Sequence, residues 1–393
     1  IRFMADAHPT FHIIAKPIGP ICNLDCTYCY YLEKEALYPR TRDWTLNGEP
    51  LRAFIEQYIA AQDAPVVHFT WQGGEPTLLG LDYFRNVVQL QRQYSAGKQI
   101  ENALQTNGML LDDEWCEFLA RERFLVGLSI DGPEHLHDAY RVGKSQQSSF
   151  HRVMAGLDRL RAHSVEFNTL TVVHRRNADC GAEVYNFLKG IGSRYLQFLP
   201  AVERSTPLPA AAGLQLALPT DPLATVTDWS VRPEQYGQFL CDIFDIWVQQ
   251  DVAQVFVQLF DVTLENWLGM TPALCVFRET CGGALAVEHN GDVYACDHYV
   301  FPEYRIGNVA ADSLREMVNS PNQIQFGNAK ASTLPQYCRD CDVRFACHGE
   351  CPKNRFIKTP DGEAGLNYLC AGYKQFFHHV GPCMQYMADE LRA

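Results

Sequence analysis

The hydrophobic positions of residues 12–202 fall into two alternating patterns. Short runs rich in Val, Ile, Phe, Thr and Leu lie at 12–16, 66–71, 101–105, 125–130, 166–173 and 195–199, and read as buried parallel strands. Between them, amphipathic stretches at helical spacing cover 51–61, 81–94, 113–120, 149–161 and 182–188. Six βα units in a row predict an α/β fold built as a parallel barrel, complete or partial, with its chemistry on the loops after the strands. The rhythm breaks over 203–233, where Pro207, Pro209, Pro219, Pro222 and Pro233 mark a long loop or linker. Two helical patterns follow near 233–249 and 258–268, and 366–391 reads as helix again. From Cys275 onward the chain is Cys-rich and is expected to be irregular, held by metal centres rather than by a large apolar core.

Length and charge narrow the classes. A chain of 393 residues is too long for one ordinary domain and fits a large barrel with an appendage. With 47% hydrophobic and 20% charged residues, disorder is excluded as the main state. The balance of 33 Lys+Arg against 46 Asp+Glu gives −13, and no basic cluster appears, which argues against nucleic acid as partner. No apolar run reaches the ~18 residues that span a bilayer. The N-terminus has no basic, apolar, small-residue leader, and since it begins at Ile1, residues before it are expected. A cytoplasmic, thiol-reducing setting is therefore expected.

Cysteine then decides the chemistry. There are 15, an odd number, so complete pairing within one chain is excluded. Clustered Cys in a reducing setting reads as ligation. One group is Cys22, Cys26 and Cys29; another is Cys275, Cys281, Cys296, Cys338, Cys341, Cys347, Cys351 and Cys370. The isolated Cys116, Cys180, Cys241 and Cys383 are expected to be small buried hydrophobes. The first group follows the first strand as C-x3-C-x2-C. A closed zinc site wants four protein ligands, for which a nearby His such as His12 would be needed. A [4Fe–4S] cube held by three thiolates keeps one iron open to a small molecule.

This loop, with Tyr28 before its third Cys, resembles that of the radical S-adenosylmethionine (SAM) enzymes. The resemblance is strengthened by Gln72-Gly73-Gly74-Glu75-Pro76 after the second strand, a segment that in the family contacts the SAM amino group. Glycines there allow close backbone approach, and carbonyls can accept from an ammonium. Ser129, in Ser129-Ile130-Asp131-Gly132-Pro133, and Arg141 match positions that bind the SAM ribose and carboxylate, and Val202 matches one that packs on the adenine. The eight later cysteines resemble the SPASM domain. By that resemblance Cys275, Cys281, Cys296 and Cys351 hold one auxiliary [4Fe–4S] cluster, and Cys338, Cys341, Cys347 and Cys370 hold a second, making three clusters in all. Spacing alone permits a pair of zinc sites instead.

Over residues 14–387 the chain resembles the anaerobic sulfatase-maturating enzymes, most tellingly at 22–30, 71–80, 104–108, 124–133 and 294–299 and in the terminal Cys set. The resemblance implies a partial (β/α)6 TIM-like barrel over 1–232, a helical connection over 233–274, a SPASM domain over 275–370 and a C-terminal helix over 371–393. It implies oxidation of a Cys or Ser in an unfolded or nascent sulfatase peptide to Cα-formylglycine, with flavodoxin or ferredoxin as electron donor. Asp297, after Cys296, is the base, and near a cluster and away from water it is expected to have a raised pKa. Gln72 and Tyr30 hold the substrate backbone, whereas His298 reads as an ordinary surface or core His. Competing readings are a SPASM-type maturase forming thioether or carbon–carbon crosslinks and a zinc-containing scaffold without catalysis.

Overall fold

The computed structural model describes residues 11–39, 41–206, 214–217, 221 and 223–393. Pro207, Pro209, Pro219 and Pro222 of the expected linker lie outside the described residues. Six parallel strands stand side by side in chain order: β1 (His12–Lys16), β2 (Val66–Trp71), β3 (Gln99–Thr106), β4 (Leu125–Ser129), β5 (Phe167–Val173) and β6 (Tyr195–Pro200). Helices α1 (Gly48–Ala61), α2 (Leu81–Tyr94), α3 (Asp113–Arg121), the short α4 (Glu134–His137), α5 (Phe150–Ala162) and α6 (Gly181–Gly190) fill the crossovers. After β6, β7 (Arg204–Ser205) pairs antiparallel with β8 (Thr225–Val226). Then come α7 (Pro233–Gln250), β9 (Phe256–Val257), which adds in parallel to β6, and α8 (Gln258–Trp267).

The helices form where apolar faces recur, and some of them start at a side-chain cap. Asp112, for example, accepts the Trp115 amide at 2.9 Å and so satisfies one free N–H of the first turn of α3. Phe54, Tyr58, Phe69, Trp71 and Phe84 are buried together between α1, α2 and the sheet. Each contributes about 2–3 kcal/mol by leaving water. The Trp71 indole N–H is not left unmade: it donates to Asn102 Oδ1 at 2.8 Å. A second core gathers α6, α7, α8 and the C-terminal helix against β4–β6.

The Cys-rich region is less irregular than its composition suggests. Its run Ala284–Glu288 forms β10, which pairs in parallel with β1, and β11 (Asp292–Tyr294) and β12 (Arg305–Asn308) follow as antiparallel neighbours. The ten-stranded sheet runs β12-β11-β10-β1-β2-β3-β4-β5-β6-β9, open at both edges. The physical reason is the short apolar run itself: Leu285, Ala286 and Val287 are fully buried, and their place between β1 and β11 supplies that burial. Short helices α9 (Leu314–Val318), α10 (Pro321–Ser332), α11 (Gln336–Arg339) and α12 (Arg344–Cys347) follow, the last two carrying Cys338 and Cys347. The terminal helix α13 (Cys370–Arg392) starts four residues later than the pattern predicts and packs along α7. The approach is close because both faces are glycine. A Cβ on Gly372 would lie 2.1 Å from Pro233 O, and one on Gly237 2.7 Å from Gly372 Cα.

Candidate active site

The loop after β1 carries Cys22, Cys26 and Cys29 to the C-terminal rim of the sheet. It is tied down by backbone bonds from Asp25 N to Val142 O (2.8 Å) and Thr27 N to Tyr140 O (3.0 Å). The loop after β2 packs on its root: Gly74 N donates to Gly19 O at 2.7 Å and Glu75 N to Ile21 O at 2.8 Å. Here glycine is obligatory, since a Cβ on Gly74 would meet Ile21 O at 2.0 Å. The Glu75 carboxylate is buried and fully engaged. It accepts from Thr77 N, Thr77 Oγ1, Thr106 Oγ1 and Asn107 N at 2.6–3.0 Å. That side chain therefore locks the loops, and the groups of 73–75 left for a ligand are backbone ones.

Asp131 organises the next rim position. It is buried and takes the Tyr28 hydroxyl on Oδ2 and Val172 N on Oδ1 at 2.9 Å. Burial pushes its carboxyl up, but Arg141 and the two histidines beside it hold it below the ordinary carboxylate range. Arg141 Nε lies 3.0 Å from Asp131 Oδ2 in an ion pair, yet its N–H has no well-directed acceptor. Its guanidinium also lies over the Tyr28 ring. Ser129 Oγ accepts from Gln105 Nε2 at 2.9 Å. Asp131 was within the motif quoted above, but its anchoring role was not read there.

Asp297 sits on the turn after Cys296, with its side chain 12% exposed. Lys16 Nζ ion-pairs with Oδ1 at 2.6 Å, and the Tyr30 hydroxyl donates to Oδ2 at 2.8 Å. The same ammonium donates to Gln72 Oε1 at 3.0 Å. Asp297 and Gln72, both singled out in the sequence, thus meet at Lys16, which was missed, while Tyr30 joins through Asp297. The available signal was a Lys ending an otherwise apolar strand. The expected raised pKa is corrected: burial pushes Asp297 up, but Lys16, His298 and the Tyr30 hydrogen bond outweigh it and hold the carboxyl low. His298 is neither at the surface nor plain core. It stacks on Tyr30 with rings 5.5 Å apart, its Nδ1 is buried without a partner among the described residues, and burial brings its pKa down to about 4. Tyr30, His298, Val202, Glu203, Phe301 and Lys353 line one cavity beside this carboxylate. Val202 itself is buried, and its carbonyl accepts from Lys353 at 3.1 Å.

The clustered thiols fit iron–sulfur ligation on their own chemistry. None of the described cysteines is in a disulfide. Cys22, Cys26 and Cys29 are mutually close enough that each thiolate would disfavour another, and burial pushes all three pKa values up, that of Cys22 to about 12. Three such groups become thiolates together only around a cationic core. The same coupling sorts the other eight. Cys281, Cys296 and Cys351 each feel Cys275, whereas Cys338 and Cys370 feel Cys341, Cys347 feels Cys338 and Cys370, and these four line a single cavity. Among the described residues no three His, Cys, Asp or Glu converge tightly enough for one metal ion, and a bulky four-iron core spaces its ligands more widely. His12 stands at the other end of β1 from the thiol loop, paired with Ala284. Arg141, buried at the rim beside Asp131 and with its Nε not well directed at it among the described residues, has a planar guanidinium of the kind that suits a ligand carboxylate. Cys116 and Cys241 are buried in the cores, whereas Cys180 and Cys383 are only half-buried against one.

Comparison with known proteins follows the same division. Residues 17–188 match the radical SAM superfamily, and 275–342 match an iron–sulfur cluster-binding domain, SPASM. A serine-type anaerobic sulfatase-maturating enzyme of Bacteroides thetaiotaomicron is 49% identical over 97% of this chain and 92% of its own. A cysteine-type anaerobic sulfatase-maturating enzyme of Clostridium perfringens is 30% identical over 98% of this chain and all of its own. The solved structure of native anSMEcpe with bound AdoMet and Cp18Cys peptide superposes with TM-score 0.84 at 30% identity, covering 98% of this chain and 100% of that one. Streptococcus suis SuiB bound to S-adenosylmethionine shares the fold alone, at TM-score 0.60 and 13% identity over 92% of this chain and 77% of that one. No helix among the described residues is long and apolar enough to cross a membrane.

Proposed function

The chain belongs to the anaerobic sulfatase-maturating enzymes of the radical SAM superfamily, and on that premise we propose that it oxidises a Ser or Cys side chain of a sulfatase peptide to Cα-formylglycine. It is a radical SAM enzyme that uses SAM and several [4Fe–4S] clusters. Cys22, Cys26 and Cys29 would hold the first cluster. Tyr28, the backbone of Gly73, Gly74 and Glu75, Ser129, Arg141 and Val202 would hold SAM. Cys275, Cys281, Cys296 and Cys351 would hold one auxiliary cluster, and Cys338, Cys341, Cys347 and Cys370 the other. Bound there, these groups supply hydrogen-atom abstraction at the substrate β-carbon and a sink for one further electron.

The chain's own task is the proton. Carbonyl formation sheds the hydrogen of the substrate hydroxyl or thiol, so a base must stand within hydrogen-bond reach of that heteroatom. The observation that carries the reading is the Asp297 carboxylate, ionised and nearly buried, with Tyr30 on one oxygen and Lys16 on the other. Each oxygen has a second lone pair, so either can take a proton without releasing its present donor. Gln72 and Tyr30, fixed in the same network, would orient the peptide, and the cavity shared by Tyr30, His298 and Glu203 would receive its neighbouring residues. Flavodoxin or ferredoxin would deliver the starting electron.

The higher identity to serine-type relatives supports a hydroxyl substrate as the preferred one. The test is anaerobic incubation with SAM, reductant and peptides containing Ser-x-Pro-x-Arg or Cys-x-Pro-x-Arg, read by mass spectrometry. Both give the same aldehyde if the reading holds, the Ser peptide faster. Unmodified peptides, alongside modification of a short Cys-rich precursor, would favour the crosslinking maturases.

A further inference from the structure

Two cations, Lys330 fully buried and Arg355 half-buried, lie between the two thiol groups of the Cys-rich region. Cys347 of one group is joined to Cys351 of the other through His348, Gly349 and Glu350. All three linking residues take positive φ, at 46°, 71° and 49°, a conformation that non-glycine residues hold only when their surroundings demand it. Their carbonyls converge on one guanidinium. Arg355 donates from Nη2 to His348 O and Glu350 O at 2.9 and 3.1 Å, and from Nε to Gly349 O at 2.8 Å. Its remaining arm, Nη1, reaches Lys330 O at 2.6 Å. Lys330, on α10, is fully buried, and its ammonium donates to Cys275 O and Val276 O at 2.7 Å each.

These two cations have too little negative charge around them. Neither forms an ion pair with a carboxylate among the described residues. The acid between them, Glu350, is buried and spends Oε2 on Asn354 and Asn367, at 3.2 and 2.6 Å. One carboxylate against two cations leaves one positive charge beside or within the interior where Lys330 is fully buried, which is costly unless an anion stands near. The anions within reach are the thiolates. Lys330 faces Cys275, Cys281 and Cys351, while Arg355 faces Cys338, Cys347 and Cys351 and so both groups at once.

We propose that Arg355 and Lys330 bias the two auxiliary clusters toward reduction, Arg355 acting on both and Lys330 on the one held by Cys275, Cys281, Cys296 and Cys351. The inference rests on the assignment of the eight thiols made above. A cube with four thiolate ligands is anionic in both oxidation states. On reduction it takes one electron, breaks no bond and gains one negative charge. A fixed cation therefore lowers the reduced form more than the oxidised one and raises the potential, within the charge effects known to tune such clusters. A centre so biased accepts the electron that aldehyde formation must discard.

The test is a potentiometric titration of the full chain, reconstituted anaerobically and followed by electron paramagnetic resonance. Replacing Cys22, Cys26 and Cys29 together by Ala silences the first site. Lys330→Met should lower one midpoint and leave the other. Arg355→Gln should lower both. The expected size is a tenfold or greater loss in the one-electron reduction equilibrium, about 59 mV. Lys330→Arg and Arg355→Lys should restore the parent values, which a merely structural role would not require. Loaded variants with unmoved midpoints would overturn the proposal, as would an equal fall in the charge-keeping variants. If Arg355→Gln fails to load, Lys330→Met alone decides by the same criterion. A parent that fails to bind two clusters would instead overturn the thiol assignment, a different failure visible in its iron and sulfide content.

Discussion

At Asp297 two opposing effects meet. Burial alone raises a carboxyl pKa, yet an ammonium 2.6 Å away and a phenol at 2.8 Å hold this one ionised. Asp297→Asn keeps the shape and removes the basicity. Aldehyde formation should fall by roughly 10²-fold or more, the range of general base catalysis, while SAM cleavage to 5′-deoxyadenosine persists. Liquid chromatography separates the two products, and undiminished aldehyde would remove the role. Lys16 belongs to the same unit. Lys16→Met leaves Asp297 buried without its partner, a change worth about 3–5 kcal/mol, which the carboxylate relieves by taking up a proton. The expectation is a large fall in kcat, a smaller rise in peptide KM from the released Gln72, and partial recovery in Lys16→Arg. Steady-state kinetics on the two variants check it. Asp297, Tyr30 and Gln72 were legible because each neighbours a Cys or Gly motif. Lys16 was not, because a single Lys at a strand end looks like a solvated rim residue until the partner strand is in place.

The strands and main helices of the barrel were legible to within about three residues at each end, the short α4 excepted. Apolar runs of five to eight residues alternate with amphipathic helices, and buried parallel strands need no other code. What the pattern hid was β10. In the sequence it is a short run between cysteines, and the cysteines dominate the reading. Its partner, β1, lies about 270 residues earlier, and no local signal reports so distant a pairing. The two rim loops after β1 and β2 also depend on each other, through Gly74. Gly74→Ala forces a methyl into Ile21 O, so the Cys22–Cys29 segment must shift. Overpacking of this kind costs about 1–3 kcal/mol. Iron and sulfide analysis of the reconstituted variant should show the first cluster depleted and the auxiliary pair retained. Full loading of all sites would mean that the close approach is not needed.

At the scale of the molecule, β10 ties the Cys-rich region into the barrel sheet, so Asp297 and the first thiol loop are held by one continuous scaffold. Buried neutral histidines under the rim make that scaffold pH-sensitive. His137 accepts from Asp131 N through Nδ1 and bonds Ser149 through Nε2, and burial lowers its pKa to about 4; His174 shares that value. In the unfolded chain both titrate near 6.5, so their contribution is complete above that pH and is lost as the pH falls from 6.5 toward 4. Each should cost the fold about 2 kcal/mol by pH 5. Urea denaturation at pH 7 and pH 5 reads this directly, and His137→Gln should remove about half of the difference. The central claim is abstraction of hydrogen from the β-carbon of the substrate residue. It is tested most directly with a Ser peptide deuterated at that carbon. Deuterium should appear in the 5′-deoxyadenosine recovered with the aldehyde, whereas aldehyde formed beside unlabelled 5′-deoxyadenosine would contradict the account.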